Sequence, residues 1–132
     1  MYNISPVKNI KRFLKIEGRL LLIICIVLIS RFAILPLSPN LSEGISDKLL
    51  HFLAFYLLSM LVDFAFPKTP FNALKIFILL GYGIAIEIAQ SFFPYRSCSF
   101  ADIVADAAGI ALYLLTVPLL KRIPFIRERW SE

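Results

Sequence analysis

The sequence predicts an all-α fold: an integral membrane four-helix bundle with both termini cytoplasmic. Three observations carry this expectation. First, 59% of the 132 residues are hydrophobic and only 17% are charged, with mean hydropathy +0.80, against about 25% charged in a typical soluble domain. Second, a chain this short leaves much of its surface to solvent, so a water-soluble fold could not hide that much Leu, Ile and Phe. Third, the apolar residues gather into four runs of roughly the 20 residues that a membrane-spanning helix needs. A soluble enzyme, a disordered tail and a disulfide-knotted secreted domain are excluded.

The first run covers residues 19–37 and follows a basic segment, residues 1–18. A signal-peptide reading fails, because no small-x-small cleavage site follows and its removal would leave an odd number of spans. The second run covers 47–66, the third 71–93 and the fourth 100–120. Pro36 and Pro39, Pro67 and Pro70, and Pro94 mark the joints, as expected where helices stop. There is no repeat and no low-complexity tract, so residues 1–132 read as one domain. The mildly amphipathic segment 3–17 reads as a positive-inside anchor rather than a helix lying on lipid.

Orientation follows from the basic residues. Lys8, Lys11, Arg12, Lys15 and Arg19 precede the first run. Lys68 and Lys75 lie near the joint between the second and third, and Lys121, Arg122, Arg127 and Arg129 follow the fourth. Only Arg31, Lys48 and Arg96 fall on the other side. By the positive-inside rule both termini are cytoplasmic, and the first and third connections face outward. The net charge of +5 is then a topology signal, and no nucleic-acid partner is expected. Cys25 lies within the first run and Cys98 in a loop, too far apart for an internal disulfide.

Ionisable groups in a span cost roughly 2.5–3.5 kcal/mol at its centre, so their placement is informative. Asp47, Lys48 and His51 open the second run. Glu87 and Gln90 sit near the end of the third, Arg96 is in the loop, and Asp102 and Asp106 open the fourth. All lie toward the outer side. At 1.5 Å per residue, His51 is roughly 6 Å below the outer end of its span, and Glu87 and Asp106 are roughly 9 Å below theirs. Asp47 and His51, Glu87 and Gln90, and Asp102 and Asp106 are each spaced to share a helix face. Gly83 extends one of these faces, and Ala101, Ala105 and Gly109 form a small-xxx-small ridge for close helix approach. A polar cavity opening outward is expected.

That cavity holds four carboxylates against Lys48 and Arg96. Either a carboxyl is held protonated, which suits a general acid, or a cation is present. The competing reading is a structural network that glues the helices together. His51 lacks a second histidine at zinc-site spacing, so no metal and no cofactor are expected. Cys98 reads as an ordinary loop cysteine. Asp63 reads as reaching the cytoplasmic interface, and Tyr56, Tyr82, Tyr95 and Trp130 as lipid-facing or interfacial packing. The cytoplasmic half is expected to be dry, which ranks a small transporter below the other readings.

The ordered set Asp47-Lys48-x-x-His51-Phe52, Gly83-x-x-x-Glu87-x-x-Gln90 and Arg96-x-x-Ser99-x-x-Asp102-x-x-x-Asp106-x-x-Gly109 resembles the VanZ-like family of small bacterial membrane proteins. The resemblance covers about residues 45–114. The chain departs from the family in carrying Asp106 where Asn is usual, which removes an amide donor. It also has Tyr113 where a small residue is common. The resemblance implies a multi-pass protein of the bacterial inner membrane and cell envelope, in a family named for teicoplanin resistance. Whether it is an enzyme stays open. In an enzymatic reading the catalytic candidates are His51, Glu87 and Asp102. Glu87 or Asp102 would act as general acid or base, with His51 as proton partner. Asp47 would orient His51. Lys48 and Arg96 would hold a phosphate or carboxylate of a lipid-linked or cell-wall-related substrate, and Gln90 and Asp106 would complete the binding set. In an accessory reading the same cavity captures an anionic headgroup or lipopeptide without chemistry. Membrane lipid is the expected partner in either case.

Overall fold

In the computed structural model, which describes residues 6–36 and 45–131, four α-helices follow one another: α1 Pro6–Ile34, α2 Ile45–Ala65, α3 Ala73–Ser91 and α4 Phe100–Leu120. A 3-10 turn, Ile126–Arg129, follows α4. There is no strand among the described residues, so the all-α expectation holds. The expected end of the first run at Leu37, and Pro39, lie outside the described residues. Local chemistry sets two of the helix starts. The Asn72 side chain accepts from the Lys75 amide at 3.3 Å, and the Ser99 hydroxyl accepts from the Ala101 amide at 3.2 Å. Each satisfies one of the free donors at a helix N-terminus.

Among the described residues three helices are long and apolar enough to cross a membrane: α2 over Asp47–Ala65, then α3 and α4. Their outward faces suit lipid, since Phe77, Phe92, Phe100 and Leu115 are each at least 70% exposed. The first helix is not among these three, and the expected first span runs on to Leu37, outside the described residues. The helix is the longest, with 29 residues, but Glu17, Arg19 and Arg31 bracket its apolar stretch. Nor is the basic segment a separate unit, because from Pro6 onward it continues α1. Leu14 and Gly18 are buried there, and Phe13 meets Phe125 edge-on at 6.0 Å. Lys11 donates to the Ser131 carbonyl.

The most extensive helix pair is α2 with α4. Gly109 makes it possible: a Cβ there would fall on the Phe52 carbonyl oxygen and lie 2.9 Å from the Tyr56 amide. Beneath this contact Phe55, Leu58 and Leu61 of α2 meet Leu22, Leu79 and Ile110 to form the core.

The expected dryness of the far half is overturned. Asp63 does not reach an interface but is 1% exposed at the centre of an ion network. Tyr113 donates to its Oδ2 at 2.6 Å, Arg129 donates to its Oδ1 at 2.6 Å, and Lys75 lies 3.5 Å from that same oxygen. Lys75 also donates to the Thr69 and Phe66 carbonyls, at 2.8 and 3.1 Å. A lone aspartate this deep would be very costly, and two cations and a phenol offset that cost. The aromatic residues read as lipid-facing are also more engaged than expected. Tyr82 shares a 2.8 Å hydrogen bond with Ser30, and Tyr56 shares one of 3.1 Å with Thr116. Trp130 packs edge-on against Phe64 at 5.7 Å. Phe55, Leu58 and Ile110 lie between this network and the polar groups at the other end, so no polar line crosses the bundle among the described residues.

Candidate functional site

Helix register delivers the first group of side chains. His51 comes from α2, Glu87 from α3 and Asp106 from α4. His51 Nδ1 lies 2.8 Å from Asp106 Oδ1, and His51 Nε2 lies 3.7 Å from Glu87 Oε1. The imidazole thus stands between two carboxylates that are each no more than 2% exposed. Nδ1 donates to Asp106, the partner a carboxylate requires. Gly83 leaves the space for this arrangement, because a Cβ there would fall on Asp106 Oδ2 and lie 3.1 Å from the Phe55 ring. Glu87 Oε2 accepts the Ser99 amide at 3.0 Å, tying α3 to the start of α4.

One helical turn outward lies a second group, Asp47, Lys48 and Asp102. Lys48 Nζ is 3.7 Å from Asp102 Oδ1, an ion pair beyond hydrogen-bond length. Both aspartates lie in the first turn of their helices, where the helix dipole favours negative charge.

Gln90 and Arg96 are placed differently from the rest. Gln90 Nε2 and Arg96 Nε both donate to the Ala33 carbonyl, at 3.2 and 2.9 Å. A second Arg96 nitrogen donates to the Phe32 carbonyl, and the Tyr95 hydroxyl to that of Ile34 at 2.8 Å. These are the carbonyls left without helical partners at the C-terminus of α1. The connection after α3 therefore caps α1, a role the sequence did not suggest for these residues.

The buried polar atoms of the site share one property. Glu87 Oε1, Gln90 Oε1, both Asp102 carboxylate oxygens and Asp106 Oδ2 have no hydrogen-bond partner among the described residues. All five are acceptors. The Asp63 network is satisfied; this one asks for donors or a cation.

Cys98, in the exposed loop, lies against Glu87. The Glu87 carboxylate beside it, with burial and its negative charge adding to the effect, pushes the thiol above its ordinary pKa. The reactive species is the thiolate, so Cys98 alkylation is slowed. Replacing Glu87 by Gln is expected to speed maleimide labelling of Cys98 several-fold at fixed pH. An unchanged rate would show that the thiol does not feel the carboxylate.

A cavity of about 350 Å³ opens beside these groups. Asp47, His51, Gln90 and Arg96 line one part of it. Ile29, Ala54, Phe55 and Ile86 line the deeper part, while Phe32, Ala33 and Leu50 lie at the level of the polar groups.

The sequence matches the VanZ/LLP1 family over residues 1–121. It is also similar to an uncharacterized protein of Schizosaccharomyces pombe, with 38% identity over 97 residues. That match covers 71% of this chain and 60% of the yeast protein's length. No solved structure matches.

Proposed function

This chain belongs to the VanZ/LLP1 family, and we propose that it is a membrane protein that holds the head of a lipid-linked amphiphile at the polar end of its bundle. The cavity carries this reading. Its polar groups all sit toward helix ends, and its lining one turn deeper, roughly 5 Å along the axis, is wholly apolar. Its 350 Å³ falls in the range of about 300–1,000 Å³ common to small-molecule sites. A polar head with a hydrocarbon chain matches that gradient. Gln90, which lines the cavity, carries an unpartnered acceptor, and His51, which also lines it, is backed by those of Glu87 and Asp106; this favours a head rich in hydroxyl or amine donors. Lys48 and two nitrogens of Arg96 already have partners, so the anion-holding role expected of them becomes secondary.

The mouth faces away from the cytoplasm in this reading. Lys68, Lys121, Arg122 and Arg127 gather toward the opposite end, as the positive-inside rule requires of a cytoplasmic face. The match to a yeast protein favours a lipid common to bacteria and eukaryotes over a bacterial cell-wall target, so teicoplanin resistance and a bacterial inner membrane are not part of the proposal. A second reading is catalytic and rests on His51 standing between Glu87 and Asp106. An imidazole so held can pass a proton to a bound head group.

The test is native mass spectrometry of protein purified in mild detergent. The wild type is expected to carry an amphiphile with a hydroxyl- or amine-bearing head. Ala54→Trp, which fills the apolar part of the cavity, should lower its occupancy at least tenfold with the melting temperature kept. Equal occupancy in both proteins, or none in the wild type, would overturn the reading.

A further inference from the structure

We propose that the outer half of the polar cluster is a divalent-cation site whose protein ligands are Asp47, His51 and Asp102. One ligand atom of each lies within 4.8 Å of the other two. Bonds of roughly 2.0–2.2 Å from carboxylate and imidazole to a zinc ion require only a small closing of these side chains.

Acidic side chains near one another are not a site by themselves, since helix N-termini collect them. What points to an ion is the acceptor inventory around them. Asp102 is 1% exposed, yet neither of its oxygens accepts a hydrogen bond from any described residue. Glu87 is a separate case on another helix. It is 2% exposed, and its unpartnered Oε1 is aimed at His51 Nε2 across 3.7 Å. An acceptor buried without a partner costs about 1–3 kcal/mol, and a single cation relieves several at once.

The imidazole is held as a metal ligand requires. Asp106 accepts a hydrogen bond from Nδ1–H at 2.8 Å, which leaves the lone pair on Nε2. A buried carboxylate behind a ligating histidine fixes its tautomer and raises its basicity. Lys48 now supplies positive charge to Asp102, but its side chain is 44% exposed and can turn to water when an ion arrives. Asp47 and His51 also line the cavity, which provides an entry path and room for further ligands. One imidazole with two carboxylates suits Zn²⁺ or Mn²⁺. The inference does not depend on amphiphile binding: Ala54→Trp leaves all three ligands in place and should keep the ion.

The test uses the full chain, untagged and chelator-treated, in a Cys98→Ser background so that the exposed thiol cannot take the metal. Zn²⁺ and Mn²⁺ are titrated by calorimetry. The expected result is one ion per chain for at least one of these metals, with affinity lowered at least tenfold by Asp47→Asn and by Asp102→Asn. If Asp102→Asn fails to fold, the half-buried Asp47→Asn decides alone. No stoichiometric binding of either ion, or binding that Asp47→Asn leaves unchanged, would overturn the proposal.

Discussion

Gly109→Ala is expected to lower the stability of the bundle by about 3 kcal/mol, at the upper end of what overpacking usually costs. The added methyl would fall on the Phe52 carbonyl oxygen and sit 2.9 Å from the Tyr56 amide, both backbone atoms of α2. A flexible side chain could turn aside, but a helix backbone has to shift as a whole. The shift would open the α2–α4 contact and carry His51 away from Asp106. The better helix propensity of Ala, about 1 kcal/mol over Gly, offsets only part of this. Gly81→Ala is the matched control. Nothing lies within 4 Å of a Cβ there, so the same change should be neutral or slightly stabilising. Unfolding midpoints of the two variants in mild detergent make the comparison, and equal midpoints would contradict the close approach.

Asp63→Ala is expected to cost about 3–5 kcal/mol, the penalty for removing one partner of a buried ion pair. It would leave Lys75 and Arg129 facing each other with their shared anion gone, and Tyr113 without its acceptor. Asp63→Asn should lose less, because it keeps an oxygen for Tyr113 or Arg129. The loss should appear as a lower melting temperature and as release of the C-terminal turn, which Arg129 ties to α2 and to the Pro67 and Thr69 carbonyls. A melting temperature unchanged by Asp63→Ala would remove the network from any account of stability.

Much of the site was legible in the sequence, because period and depth are sequence properties. Asp47 and His51 one turn apart, and Asp102 and Asp106 one turn apart, fix which groups share a face. Counting residues from the span ends places Glu87, His51 and Asp106 at similar depth. The three later helices were legible for the same reason, and α4 runs Phe100–Leu120 as the apolar run indicates. What the sequence hid was partner choice. Arg96 reads as an anion holder, but α1 ends where its carbonyls can take that guanidinium, and only the packing of α1 against the loop reveals it. Asp63 reads as interfacial because its distance to the span end is short. Its burial depends on Arg129, which folds back from the chain end. A signal was available: Lys75 is the one basic residue inside the third run, just across a short joint from Asp63. Opposite charges at matching depth on adjacent helices imply a pair.

The two polar networks divide the bundle into an end that holds the fold together and an end left open for a ligand. Functional sites commonly break the local rules that stability would follow. The measurement that tests this division most directly is the melting temperature of Glu87→Gln beside that of Asp63→Ala, with bound amphiphile measured on the same samples. The amide keeps an oxygen for the Ser99 amide and offers His51 a donor, so Glu87→Gln is expected to melt at or above the wild-type temperature while its amphiphile occupancy falls at least tenfold. A drop in melting temperature as large as that of Asp63→Ala, with occupancy retained in the folded fraction, would show the site to be structural glue and contradict the account.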